Sequence, residues 1–136
     1  MRFILWIFFL YKNESMLRSL IWNKKALIST KTFYLGDTIW YLQGKKFTKP
    51  SKNTIEIAPN HHVEDINGTF MNHSCLPNTT IFNGQVIAIR TITKGMELTC
   101  NYTKTESQMV KPFLCYKCNH YIDGKKTKCP VYKKSL

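Results

Sequence analysis

Along the chain, apolar positions come in short bursts broken by Gly, Pro, Asn and Lys, and no segment sustains a helical period for long. Stretches at 26–28, 38–42, 54–58, 79–82 and 86–92 carry most of the apolar residues. That spacing predicts short strands joined by turns. Gly36-Asp37, Asn67-Gly68, Asn83-Gly84 and Lys94-Gly95 supply the turns. Asn83-Gly84 stands between Thr79-Thr80-Ile81-Phe82 and Gln85-Val86-Ile87-Ala88-Ile89-Arg90. A tight hairpin is expected there, because both turn residues tolerate positive φ. The stretch 104–112 is polar and ends in Pro112, which predicts a linker or a single helical turn. The fold class read from this pattern is mainly β.

The two ends differ from the middle. Met1-Arg2-Phe3-Ile4-Leu5-Trp6-Ile7-Phe8-Phe9-Leu10-Tyr11 is an apolar run with one positive charge. It is shorter than the ~20 residues that span a bilayer, and no small-residue cleavage site follows it. Residues 1–19 are read as an apolar extension, buried or poorly placed, with a signal or anchor as the other reading. A second start at Met16 would remove the run. Residues 113–136 hold three of the five cysteines and too little apolar content for a core. A unit that small needs a metal or a disulfide to hold it.

Composition narrows the picture further. A chain of 136 residues with 43% hydrophobic and 13% aromatic content has enough material for one core, and intrinsic disorder of the whole chain is excluded. The formal charge of +12 favours acidic partners, nucleic acid or chromatin among them, through salt-dependent and non-specific contact. A lysine-rich solvated surface explains the same charge. Five cysteines are an odd number, and Cys115-x-x-Cys118 points to metal or redox use in a reducing, intracellular compartment rather than to a disulfide framework.

The chemistry concentrates in three segments. Asn72-His73-Ser74-Cys75-Leu76-Pro77-Asn78 packs polar and reactive side chains more densely than packing alone requires. It is followed by Gly95-Met96-Glu97-Leu98-Thr99-Cys100-Asn101-Tyr102 and then by Phe113-Leu114-Cys115-Tyr116-Lys117-Cys118. Zinc sites want about four thiolate or imidazole ligands in a tetrahedron, and Cys-x-x-Cys supplies two from one turn. Cys115, Cys118 and Cys129 offer three such ligands, with His120 able to replace Cys129. Cys100 falls in a strand pattern and reads as a small core residue. His61 and His62 are adjacent, would point apart on an extended chain, and are taken as loop residues.

In this order the three segments resemble the C-terminal half of a SET domain with its cysteine-rich post-SET tail, and the match is specific over 66–118. The resemblance implies a compact SET domain with a knot-like crossing of its C-terminal segments, over 20–104, and a small zinc-bound tail over 105–136. It implies S-adenosylmethionine as cofactor, held by Asn72, His73, Phe113 and Ala26, and Tyr102 as the active-site tyrosine. It also brings Cys75 to the zinc beside Cys115, Cys118 and Cys129. Ser29–Ile39 resembles the first strands of the domain. Just before them the chain has Lys24-Lys25-Ala26 where the family carries Gly-x-Gly.

The expected activity is methyl transfer from S-adenosylmethionine to a protein lysine, with histone the commonest substrate class of such domains. A membrane partner is not expected. The location implied is intracellular, nuclear or chromatin-associated in a eukaryote and cytoplasmic otherwise. Two other readings stand beside this one: a SET module that binds a partner without turnover, and a basic zinc-tailed protein that binds nucleic acid.

Overall fold

The structure is a computed structural model that describes residues 15–127. The apolar run Met1–Tyr11 and the expected ligand Cys129 lie outside the described residues. Among the described residues twelve strands, one 3-10 turn and one short α-helix follow in chain order, in line with the mainly β reading.

Strand β1 (Met16–Ile21) and β2 (Lys24–Ser29) form an antiparallel hairpin turned by Trp22 and Asn23, both at positive φ. Residues 16–19, assigned by sequence to the extension, are thus part of a strand, and Met16 is buried in the core. The next sheet runs β3 (Thr38–Tyr41), β9 (Gln85–Ala88), β8 (Thr79–Phe82). Its β8–β9 hairpin closes through Asn83 and Gly84 at φ 49 and 74, with Phe82 opposite Gln85, as the turn chemistry predicts.

A third sheet has the order β4 (Lys45–Phe47), β6 (His61–Glu64), β5 (Ile55–Ala58). His61 and His62 are therefore strand residues and not loop residues. Strand alternation sends His61 to solvent and His62 to the interior. Beyond β6 the buried carboxylate of Asp65 accepts from the backbone N–H groups of Gln43, Asn67 and Gly68 at 2.7–2.9 Å and from Trp40 Nε1 at 3.3 Å. It ties the third sheet to β3 and fixes the 3-10 turn Gly68–Phe70.

That turn feeds β7 (Asn72–His73), which lies parallel to β10 (Thr99–Cys100). Here the two C-terminal segments cross. Residues 96–98 run along β2, with Leu98 N–H donating to Leu27 O at 2.7 Å and Ser29 N–H to Met96 O at 2.9 Å, while β10 takes β7 as its neighbour. Asn78 clamps the crossing: its Nδ2 donates to Glu97 O at 2.8 Å and its Oδ1 accepts from Thr99 N–H at 2.9 Å. The main core, with Leu27, Val63, Val86, Ile92 and Leu98, lies beneath it.

After β10 the chain makes one helical turn, α1 (Tyr102–Thr105), N-capped by Asn101 through Thr103 N–H. The tail then folds as the hairpin β11 (Phe113–Cys115) and β12 (His120–Ile122) and returns onto the linker. Lys125 N–H donates to Glu106 O at 2.7 Å, and Met109 N–H to Asp123 Oδ1 at 2.9 Å. Gly124 makes this return possible. It sits at φ +63, and a Cβ there would stand 2.5 Å from Glu106 O and 2.7 Å from Gln108 N. Gly124→Ala is expected to lower stability by roughly 1–3 kcal/mol, since backbone must shift and the dihedral is strained. A thermal melt checks the size. Hydrogen exchange of the amides of Met109 and Lys125, which should quicken first, checks the place.

Among the described residues no helix is long and apolar enough to cross a membrane.

Candidate functional site

The crossing brings the separate sequence motifs to one place. Because β7 and β10 are parallel and in register, His73 sits beside Cys100, and the chain leaving β10 carries Tyr102 back past the His73 ring. Tyr102 N–H donates to His73 Nδ1 at 3.0 Å, and the two rings lie 5.4 Å apart. Phe113, from the tail, meets both rings edge-on, at 5.7 Å from His73 and 6.1 Å from Tyr102. Three residues far apart in sequence thus form one aromatic corner.

Tyr102 is held at its other end as well. Its hydroxyl donates to Met71 O at 2.5 Å. Burial, with the charges of Cys100, Glu106 and Glu97, drives its pKa upward, so it works as a neutral phenol. With the hydroxyl hydrogen directed at Met71, the oxygen lone pairs are what Tyr102 presents to another group.

A cavity of about 180 Å³ opens beside this corner. Ile55, Met71, Ile81, Cys100, Tyr102 and Phe113 supply much of its wall, and Lys52 and Lys111 also line it. Apolar walls around a phenol suit a long aliphatic chain with a polar end.

Asn72 is exposed on the other side of β7. Its Nδ2 donates to Lys25 O at 2.6 Å and to Glu97 Oε2 at 2.7 Å, so Oδ1 is the atom it would offer a ligand. Ala26, next to Lys25, is half-buried opposite Ser19 in the β1–β2 hairpin. The ammonium of Lys25 lies 5.2 Å from the centroid of the Phe70 ring, which accounts for the fate of a long side chain at this strand position. Asn72 and Lys25 are joined directly; no such contact brings Ala26 to the aromatic corner.

The cysteines form the second centre. Cys75 Sγ and Cys115 Sγ are 3.2 Å apart, beyond the ~2.05 Å of a disulfide. Both are buried, and Cys118 packs against them together with Ile122. Burial pushes the Cys115 thiol up, but the backbone N–H of Cys118, the Cys75 thiol, the Lys117 N–H and the Cys118 thiol outweigh it, and its pKa falls below the ordinary value. Soft, buried thiols fed by amide N–H groups at a Cys-x-x-Cys turn fit a zinc ion. Cys100 is buried apart from them in the main core, its thiol pushed up to about 12, as expected for a packing residue.

His73 Nε2 also faces the cluster, 4.0 Å from Cys75 Sγ, and its donor atom lies within 4.8 Å of both sulfurs. Its tautomer argues against ligation. Burial lowers the His73 pKa to about 4, so the ring is neutral, and Nδ1 already accepts from Tyr102 N–H. The ring proton then belongs on Nε2, directed at Cys75 sulfur, where it supports a thiolate rather than offering a lone pair. Exposed His120 turns its Nδ1 to Cys118 O at 2.7 Å.

Comparison with known proteins agrees with this geometry. No curated protein matches the chain. Among solved structures, the fold is similar to the crystal structure of KRYPTONITE in complex with mCHH DNA, an H3(1-15) peptide and SAH, with a TM-score of 0.55 and 20% sequence identity. The likeness covers 73% of this chain but spans only 26% of that one. The profile of the SET domain matches residues 7–103, more than half of the sequence and both of the segments that cross. The matched stretch contains β7, β10 and Asn78, which clamps their crossing, and the chain belongs to the SET domain family.

Proposed function

We propose that the chain is an S-adenosylmethionine-dependent methyltransferase acting on a protein lysine. The observation that carries this is the apolar cavity lined by a neutral, half-buried tyrosine whose hydroxyl hydrogen is taken up by Met71 O, which leaves its oxygen lone pairs for a ligand. S-adenosylmethionine supplies the electrophilic methyl group when bound. The aromatic corner of His73 and Phe113, with Asn72 Oδ1 near the Lys25 backbone, fits its purine and polar ends. Ala26 would border the same cofactor from β2.

The chain's own residues then do the rest. Apolar walls strip water from the lysine stem, and the Tyr102 oxygen accepts from the amine N–H and aims its lone pair. Histone is the proposed substrate class: the similar KRYPTONITE structure holds an H3(1-15) peptide, and the +12 charge suits a nucleosomal, intracellular setting. Zinc would be held by Cys75, Cys115 and Cys118 with Cys129, fastening the tail that contributes Phe113.

Calorimetric titration with S-adenosylmethionine and a radiolabelled methyl-transfer assay on histones test the reading. Failure to bind the cofactor at millimolar concentration would sink it. The second reading, a SET module that binds without turnover, is favoured by Lys24-Lys25-Ala26 on the strand beside Asn72, and the same titration decides between them.

The tautomer argument gives a sharper test of the metal set. Asn keeps an acceptor where Nδ1 stands but has no atom at Nε2. His73→Asn is therefore expected to bind as much zinc per chain as the wild type, with affinity weakened by about 10-fold as for loss of a supporting hydrogen bond. Metal analysis showing none bound would make His73 a ligand.

A further inference from the structure

We propose that Glu106 is the group that takes the proton of the substrate lysine, an inference that rests on the function proposed above. Glu106 is the only acidic residue among the described residues lining the cavity. It caps the turn that begins with Tyr102: its N–H donates to Tyr102 O at 3.1 Å, both residues line the cavity, and the Glu106 charge acts on the Tyr102 phenol. At 7% exposure it is a carboxylate taken out of water, which is costly unless it is hydrogen-bonded or paired.

Its known protein contacts leave capacity for a ligand. Glu56 N–H is shared between Glu106 Oε1 at 3.3 Å and Oε2 at 3.1 Å and the Thr105 hydroxyl also bonds the carboxylate, which can accept about four hydrogen bonds. Glu56 itself is turned away, accepting from Ser107 N–H at 2.9 Å and Ser107 Oγ at 2.6 Å. Around Glu106 stand Glu56 from β5, Cys100 from β10, Tyr102 and Thr105 from α1, and Lys125 from the tail.

The chemistry needs such a group. Lysine is protonated near neutral pH, with a pKa of ~10.4, and only the neutral amine can attack a methyl group. In the cavity the ammonium N–H bond breaks and an O–H bond forms on the Glu106 carboxylate, giving a neutral amine and a neutral acid with no change in total charge. Apolar walls favour that neutral pair over two separated charges. The proton returns to solvent when the product leaves. In keeping with this, burial, together with the Glu56 charge, outweighs the Glu56 N–H, Thr105 and Lys125 and pushes the Glu106 carboxyl up to about 7.

The test uses n-butylammonium as a probe of the full chain, with n-pentanol as its neutral counterpart, both followed by NMR. Glu106→Gln keeps an acceptor for Glu56 N–H but no charge. We expect n-butylammonium to bind at least ~10-fold more weakly to E106Q than to the wild type, the scale of one charge-assisted hydrogen bond, with n-pentanol unchanged. Equal n-butylammonium affinity in the two proteins overturns the proposal. Should Gln destabilise the chain, the wild type alone decides, because its Glu106 carboxyl ¹³C signal must move as n-butylammonium is added, and an unmoved signal overturns the proposal. Absence of methyl transfer by the wild type would count against the methyltransferase reading, whereas these binding results judge Glu106 itself.

Discussion

Tyr102→Phe is expected to cut methyl transfer by about 100-fold, near 2.7 kcal/mol of transition-state stabilisation, while cofactor affinity stays within roughly threefold. The ring would remain, and with it the contacts to His73 and Phe113 that build the aromatic corner. What goes is the oxygen proposed to aim the amine. Stability should also fall, by about 1–2 kcal/mol, because the phenol hydrogen bond to Met71 O is lost and that carbonyl is left without it. Calorimetry with S-adenosylmethionine, the radiolabel assay and a thermal melt separate these effects. If cofactor binding vanished together with activity, Tyr102 would be a structural residue, and the proposed mechanism would have no acceptor for the amine.

The meeting of His73 and Tyr102 was legible in sequence because the Asn-His-Ser-Cys and Glu-Leu-x-x-x-Tyr segments each carry their own pattern. Strands β2, β3, β5, β8 and β9 were legible too, since each holds apolar residues at strand spacing between turn signals. Strand β4 was not. Lys45, Lys46 and Phe47 are all exposed, and only pairing with β6 makes them a strand. His62 hid in the same way, as a polar residue buried by its neighbours.

Glu106 and Asp65 show the stronger limit. In a polar linker an acid looks like a solvated surface residue. Glu106 becomes a buried wall of the cavity through β5, whose Glu56 N–H meets its carboxylate, and through the tail that Gly124 lets return onto its carbonyl 18 positions later in the chain. Asp65 gains its meaning from donors at Trp40, Gln43 and Gly68, which no local window contains together. Both acids depend on tertiary return of the chain, and periodicity cannot register that.

Removing the proposed zinc, by chelation or by Cys115→Ala, is expected to undo the tail and with it the site. The apolar residues holding the tail are few: Cys75, Cys115 and Ile122 are buried together, with Tyr102, Phe113 and Cys118 packed beside them. A unit of this size lacks the core to stand alone and would draw its stability from the proposed ligand bonds. Loss of about 3 kcal/mol would lower the melting temperature by ~10–20 °C for a domain of this scale. Hydrogen exchange should accelerate over 113–127 and leave the β3–β9–β8 sheet protected. Phe113 leaves with the tail, so one wall of the cavity opens and Tyr102 meets water, which should depress methyl transfer by about 100-fold or more. Cys100→Ala is the matched control, since that thiol is buried in the main core with its pKa pushed up to about 12, and this variant should keep its zinc. Reduced wild-type protein that binds no zinc would refute the metal assignment. Zinc bound by C115A as tightly as by the wild type would instead move the site away from Cys115.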